Sequence, residues 1–214
     1  MTLANSLVVL DFETTGLSPD MGDRAIEIGA VKLENGVLTE RFQRLMNPGK
    51  RVSSFIENYT GITNNMLKKA PSCAEAMSEF AEFIGDSNLL AHNASFDKRF
   101  LDAEFNHIRH SYTGEFACSL LVARRLFPTA PNHQLGTLVK YCNIESTGDY
   151  HRALYDSEMT AKLWLAFLDH IDHHFAVANL PFNAIKKLSK TPKKNIEIFF
   201  EKLKHSLPST YRDK

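Results

Sequence analysis

Apolar positions along this chain first come as runs and alternations, and only later as helical stripes. Leu7-Val8-Val9-Leu10 is short, branched and apolar, the pattern of a strand buried on both faces. Thr14, Thr15 and Gly16 are expected to break it. Residues 25–46 alternate on either side of Asn35-Gly36, a strong short-range hairpin signal, so three adjacent strands are predicted. Residues 53–70 read as short helices and turns around Gly61. Ser72 and Glu75 form a capping box ahead of a helix whose apolar face is Met77, Phe80, Ala81 and Ile84. Gly85-Asp86 closes that helix. A short strand is predicted over 88–92 and a helix over 96–107, with Phe96, Phe100 and Phe105 as anchors. Another strand follows near 116–120, then helices near 120–127 and 135–143 with Pro128 and Pro131 between them. A long helix runs from about Arg152 to His170.

Strands first, then helices mixed with single strands, predict an α/β or α+β domain. Pro181 and the lysine-rich stretch 186–194 mark a boundary. Beyond it IEIFFEKLKHSL reads as one amphipathic helix, with Ile196, Phe199, Phe200 and Leu203 at i, i+3, i+4 and i+7. The expected division is a domain over 1–175 and a basic helical extension over 176–214.

The composition, 43% hydrophobic and 23% charged, is that of a globular protein whose 214 residues can hold one good-sized core. No apolar run approaches the roughly 18 residues of a membrane span. The N-terminus has neither the basic region nor the long apolar stretch of a signal peptide. Cys73, Cys118 and Cys142 are odd in number and lack CxxC spacing. These features predict a cytoplasmic protein with reduced thiols. Charge is balanced overall at 25 Lys/Arg and 25 Asp/Glu, but residues 186–214 hold nine Lys/Arg against three Asp/Glu. A net +6 there leaves −6 on the remainder and predicts a polyanionic partner for the tail.

The chemistry lies at element ends. Asp11 and Glu13, one residue apart, point to the same side of the first strand. HNASFDKRF (92–100) adds His92, Asn93 and Asp97 at a strand-to-helix junction, and HRALYDSEMT (151–160) adds His151 and Asp156 at a helix entry. A sheet can bring these ends to one edge. Two like charges about 4 Å apart then repel by about 4 kcal/mol at an effective dielectric of ~20. Several such pairs rival the roughly 5–15 kcal/mol that holds a domain together. The cluster must bind protons or cations, and oxygen-only ligands select hard ions such as Mg²⁺ or Mn²⁺. Two such ions can support phosphodiester cleavage, with His151 placed to take a proton from water. His170, His173 and His174 form an HxxHH run that offers a soft-metal site or a solvated helix end. There is no GxxxxGK[ST] loop and no GxSxG elbow, so kinase and serine-hydrolase readings gain no support.

The segments DFETTG, HNASFD and HRALYD, in that order, resemble the three motifs of the DEDDh family of 3′→5′ exonucleases, the group of the DNA polymerase III epsilon proofreading subunit, ribonuclease T and exonuclease X. The fillers DRAIEIGAV, YTGIT, RRLFP and HQLGTL agree, and the resemblance covers roughly residues 5–172. It implies a ribonuclease H-like fold with a mixed five-stranded sheet flanked by helices. It implies that Asp11, Glu13, Asp97 and Asp156 hold two Mg²⁺ or Mn²⁺ ions and that His151 is the general base. Tyrosine-type relatives carry Tyr four residues before the last Asp, where this chain has Arg152. The implied activity is removal of nucleoside 5′-monophosphates from single-stranded 3′ ends. Phe12, Thr14 and Leu17 would surround the terminal nucleotide. Phe96 would stack on a base or serve as plain core, and His92 and Asn93 would be further substrate contacts or would cap and orient the helix that follows them. The epsilon subunit has His where this chain has Thr60, so a nucleotide contact there is not carried over. An exoribonuclease acting on RNA is the alternative within enzymes, and a non-catalytic binding module the alternative outside them. The lysines of the basic extension are expected to reach upstream phosphates, and its apolar stripe to pack on the body of the same chain, on a second copy or on another protein such as a polymerase subunit.

Overall fold

The computed structural model describes residues 2–147 and 151–207. Five strands form one mixed sheet in the order β3-β2-β1-β4-β5. They are β1 (Leu7–Thr14), β2 (Ala25–Glu34), β3 (Val37–Leu45), β4 (Leu89–Ala91) and β5 (Phe116–Cys118). The hairpin turns where Asn35-Gly36 predicts, with φ of 51° and 80° at the two residues, the left-handed pair that a tight hairpin requires. β1 pairs antiparallel with β2 and parallel with β4, which pairs parallel with β5. The C-terminal ends of β1 and β4 therefore point the same way, and this edge carries the acids.

Nine helices cover the sheet among the described residues: α1 (Ser54–Thr60), α2 (Asn64–Lys69), α3 (Cys73–Ile84), α4 (Ser95–His107), α5 (Ser119–Leu126), α6 (Leu135–Tyr141), α7 (Ala153–Phe175), α8 (Phe182–Lys190) and α9 (Ile196–Ser206). Strand alternation sorts the core. Val8, Leu10 and Phe12 face Met77, Phe80, Phe100 and Phe105 of α3 and α4. Leu7 and Val9 face Leu163, Trp164 and Phe167 of α7 on the other side. The capping box at Ser72 and Glu75 is formed in both directions.

The strand does not stop before its acids. β1 continues through Asp11 and Glu13 to Thr14, with a register shift between Glu13 and Thr14. Asp11 lies opposite Gly29 of β2. Gly29 is where α7 lands: a Cβ there would come within 2.0 Å of the Leu154 nitrogen. Ser157 Oγ donates to the Gly29 carbonyl at 2.9 Å. This close approach presses the first turn of α7, which carries Asp156, against the strand beside Asp11.

The lysine-rich stretch read as a boundary is α8, a helix whose charged face hides an apolar one. Phe182, Ile185 and Leu188 are buried in the same core cluster as Trp164 and Phe167, as are Ile196 and Phe200 of α9. Of the three surfaces open to the apolar stripe, the body of the same chain, a second copy or another protein, it packs on the first. The packing runs unbroken past the 175/176 division. Both helices sit at the pole opposite the acids. α8 begins beside the start of the chain, where the Phe182 nitrogen donates to the Thr2 carbonyl. Lys186 pairs at 2.8 Å with Glu115, just ahead of β5. Phe200 stacks at 4.1 Å on Phe175, the last residue of α7.

Candidate active site

Asp11, Glu13 and Asp156 bring one carboxylate oxygen each within 4.8 Å of one another. They line a cleft of about 660 Å³ together with Phe12, Thr14, Leu17, Phe96 and His151. Eight of the residues singled out from sequence thus share one cavity. Asp97 lies behind it, buried, where its Oδ1 accepts from the Phe12 nitrogen at 3.2 Å. Asp97 and Asp156 both fall in the first turn of a helix, where the dipole favours a carboxylate.

Electrostatics are adverse throughout the cluster. Burial, then repulsion from Asp97 and Asp156, holds the Asp11 carboxyl well above the usual range. Burial followed by the charges of Asp156 and Glu27 pushes Glu13 to about 8. Burial likewise raises Asp97 to about 7, against hydrogen bonds that lower it, and Asp156 to about 6. Asp156 Oδ2 accepts from the His151 nitrogen at 3.1 Å, while Oδ1 is buried without a hydrogen-bond partner. A buried acceptor is seldom left unmet. Three crowded carboxylates, one with an orphaned oxygen, fit a hard divalent cation held by Asp11, Glu13 and Asp156.

The loop after β1 is shaped by Asp23. Its carboxylate accepts from Thr15 Oγ1 at 2.9 Å and from the Ser18 nitrogen at 3.1 Å. It also fills the space a Cβ on Gly16 would need, 2.4 Å away. The loop presents Leu17, 77% exposed, at the mouth of the cleft. Phe96 is half-buried, packed on Phe100 at 5.0 Å, and so serves both core and cleft.

Two sequence-based assignments do not reach the cleft. His92 turns inward: its Nε2 bonds the His133 carbonyl and its Nδ1 the Ser119 hydroxyl, both at 2.9 Å. Burial lowers its pKa to about 4, so the ring is neutral, and a proton on Nε2 satisfies both contacts. Asn93 takes a left-handed φ of 68°, and its carbonyl accepts from the Phe96 nitrogen at 2.9 Å, turning the chain into α4. Both residues build the junction rather than the cleft wall. Thr60 lines the cleft, yet its hydroxyl is committed to the Ile56 carbonyl and the Ile62 nitrogen. The soft-metal reading of HxxHH finds no support. His173 and His174 bond carbonyls one turn back, and Asp11–Glu13–Asp156 is the one metal-ligand grouping among the described residues.

Residues missed from sequence include Phe55 and Tyr59, which line the same cleft as Leu17. Their i, i+4 spacing in SFIENYT, with neither ring required by the core, was an available signal. Arg152 stands out in the sequence only as a departure from tyrosine-type relatives. It forks onto buried Glu27, with Nη2 to Oε1 at 2.7 Å and Nε to Oε2 at 3.2 Å.

This sheet order, with acids from β1, α4 and α7 converging at one edge, defines a ribonuclease H-like exonuclease fold. The family model described as Exonuclease (RNase_T) matches residues 8–164, and the chain belongs to that family, a class of nuclease hydrolases. Among relatives, it is 42% identical over 162 residues to a "DNA polymerase III PolC-type" of Halalkalibacterium halodurans and 42% identical over 163 residues to that of Bacillus subtilis. Each match covers 75% of this chain but only 11% of the relative. Among solved structures, "Exonuclease X in complex with 5′ overhanging duplex DNA" superposes with a TM-score of 0.67 at 26% identity, covering 86% of this chain and 99% of that one. The nuclease domain of 3′hExo, a DEDDh family member bound to rAMP, has a TM-score of 0.66 at 20% identity over 77% of this chain and 92% of that one, a likeness of fold. No helix among the described residues is long and apolar enough to cross a membrane.

Proposed function

We propose that this chain is a divalent-metal-dependent 3′→5′ exonuclease that releases nucleoside 5′-monophosphates from single-stranded DNA ends. The observation that carries the reading is the trio Asp11, Glu13 and Asp156, with an orphaned carboxylate oxygen, at the floor of an open cleft with apolar walls. The PolC-type relatives are DNA polymerases and the Exonuclease X structure holds DNA, which favours DNA over RNA as substrate.

Asp11, Glu13 and Asp156, with Asp97 behind them, would hold two Mg²⁺ or Mn²⁺ ions. Such ions, when bound, supply charge to a leaving oxygen and acidify a water. Leu17 and Phe96 offer apolar surface to the terminal base, which suits sequence-tolerant binding. Phe12 and Thr14 line the floor beside them. His151 takes the proton of the attacking water, and its backbone bond to Asp156 ties it to the acids. The three cysteines are free, which fits a reducing compartment such as the cytoplasm. The protein would act as a free-standing nuclease or alongside a polymerase.

The test is digestion of 5′-labelled DNA and RNA oligonucleotides of matched sequence. Stepwise shortening from the 3′ end that EDTA stops and Mg²⁺ restores is expected, faster on DNA. His151→Ala should lower the rate about 10²–10⁴-fold. Full activity in metal-free buffer would sink the reading, and equal or faster RNA digestion would reassign the substrate.

A further inference from the structure

His151 has a pinned backbone and a ring that needs holding. It adopts a left-handed φ of 74°, uncommon for a residue with a side chain, and its N–H is anchored on Asp156 Oδ2. These features fix where the side chain departs, not which rotamer it takes. The ring packs against Tyr59, with centroids 4.1 Å apart and planes inclined by 40°. Tyr59 is backed in turn by Phe55, near-parallel at 5.9 Å and 9°.

The supporting helix is built to hold that stack in place. α1 is only seven residues long, yet it is capped at both ends: Ser53 Oγ accepts from the Ile56 nitrogen, and Gly61 takes φ 71°. Ile56 packs inward against Ile26, Val52, Ile62 and Leu67. Phe55 and Tyr59 remain 70% and 51% exposed, so neither ring is there to fill the core. Tyr59 lines the same cleft as Asp11, Glu13, Asp156 and His151, and its hydroxyl is raised in pKa by burial and by the charges of Glu13, Asp156 and Asp11.

We propose that Tyr59, backed by Phe55, is a positioning residue that holds the His151 imidazole in its working orientation over the carboxylates. The inference rests on the reading of His151 as base, and it adds a residue from a different segment of the chain. A ring contact, not a hydrogen bond, does the holding, so phenylalanine should substitute and leucine should not. Misplacement by about 1 Å costs on the order of 10²-fold in rate, so a loss of about 10- to 100-fold is expected when the ring is removed.

The experiment is a double-mutant cycle on a short DNA oligonucleotide with Mg²⁺, using Tyr59→Leu, Tyr59→Phe, His151→Ala and Tyr59→Leu combined with His151→Ala. Tyr59→Leu should lower kcat about 10- to 100-fold with KM within about threefold, and Tyr59→Phe should restore most of it. In the His151→Ala background Tyr59→Leu should add no further loss, because coupled residues are not additive. Metal-free NMR of the parent should show His151 ring protons shifted upfield by the tyrosine ring current. That shift should vanish in Tyr59→Leu and persist in Tyr59→Phe. An unchanged kcat in Tyr59→Leu, an equal loss in both backgrounds, a loss confined to KM, or His151 resonances indifferent to Tyr59→Leu would each overturn the proposal. Retention of full rate by His151→Ala strikes the base instead, and the NMR arm still decides whether Tyr59 holds the ring.

Discussion

Glu13 and Glu27 face each other across β1 and β2, both buried, and the chain treats them in opposite ways. Glu27 receives the fork of Arg152, the Gln43 amide at 2.9 Å and the Ala153 nitrogen at 3.1 Å. Glu104, equally buried, receives Arg24 at 2.7 and 2.8 Å and the Ala25 nitrogen at 3.1 Å. Glu13 looks instead toward Asp11 and Asp156. The two forked glutamates are struts: one ties α7 to β2, the other ties α4 to the start of β2. Asp11, Glu13 and Asp156 receive no such fork among the described residues, and the charge of Arg152 offsets burial at Glu13 only in part. A fold that can supply two bidentate arginines nearby leaves these acids for an ion from solution.

The largest effect expected from breaking that contrast is on turnover. Asp11→Asn, Glu13→Gln and Asp156→Asn should each abolish mononucleotide release. Each should also leave the metal-free protein as stable as the parent or more so, because an isosteric amide removes repulsion and opens no cavity. Thermal melting in EDTA beside an oligonucleotide assay checks both halves. A large fall in melting temperature would mean that these acids are struts too.

The pH dependence of metal-free stability sharpens the same point. Asp11, Glu13, Asp97 and Asp156 all have pKa values raised in the folded state. Between the ordinary carboxylate range near 4 and the folded values, the folded chain holds more protons than the unfolded one. Stability then falls as pH rises, by roughly 1.4 kcal/mol per pH unit for each extra proton held. For Glu13 the window runs from about 4.5 to about 8. Urea melts in EDTA should therefore weaken from pH 5 to pH 8, and Mg²⁺ should flatten the slope. A stability that climbs over that range would show the acids to be neutralised within the protein.

Arg24→Ala attacks the second strut, whose two residues are not part of the cleft lining. It strips the bidentate partner from Glu104, which is 2% exposed and, among the described residues, keeps the Ala25 nitrogen as its donor. Leaving a buried carboxylate without its cation costs about 3 kcal/mol. Denaturant unfolding should report a loss of that order, with catalysis by the remaining folded protein intact.

These struts also mark where sequence reading stopped. The acids were legible because strand alternation and helix entries are local patterns, and the hairpin because Asn35-Gly36 is a local signal. Arg24–Glu104 and Arg152–Glu27 join residues 80 and 125 positions apart, and no local pattern announces a partner at that distance. The place of His92 was left open between substrate contact and helix junction for the same reason, since its two partners, Ser119 and His133, arrive from later segments. α8 was missed because its lysines masked Phe182, Ile185 and Leu188, a regular apolar stripe under a charged face.

The smallest expected effect concerns those lysines. The sequence placed them to meet phosphates just upstream of the scissile end, but α7 separates the two regions. Its 23 residues span about 34 Å from the acids to the stack that holds α9. Deleting the extension cannot isolate the charges, because Phe182, Ile185, Leu188 and Phe200 would leave the core with it. A charge-only variant can: Lys187, Lys190, Lys193 and Lys194, all exposed, changed together to Gln. On a tetranucleotide its rate should match the parent's within about twofold, the surface-substitution case in which little but charge is altered. Every phosphate that a lysine no longer neutralises would flatten the log–log salt dependence of binding by about 0.7 for single strands. That flattening should be absent for short strands and emerge only once the strand is long enough to travel from the cleft to the far pole. A reduced slope already on a tetranucleotide would mean that the basic pole acts on the cleft itself, by long-range attraction rather than contact. An unchanged slope at every length would leave the lysines as the solvated face of α8 and its turn, with the chain's nucleic-acid affinity residing entirely in the cleft.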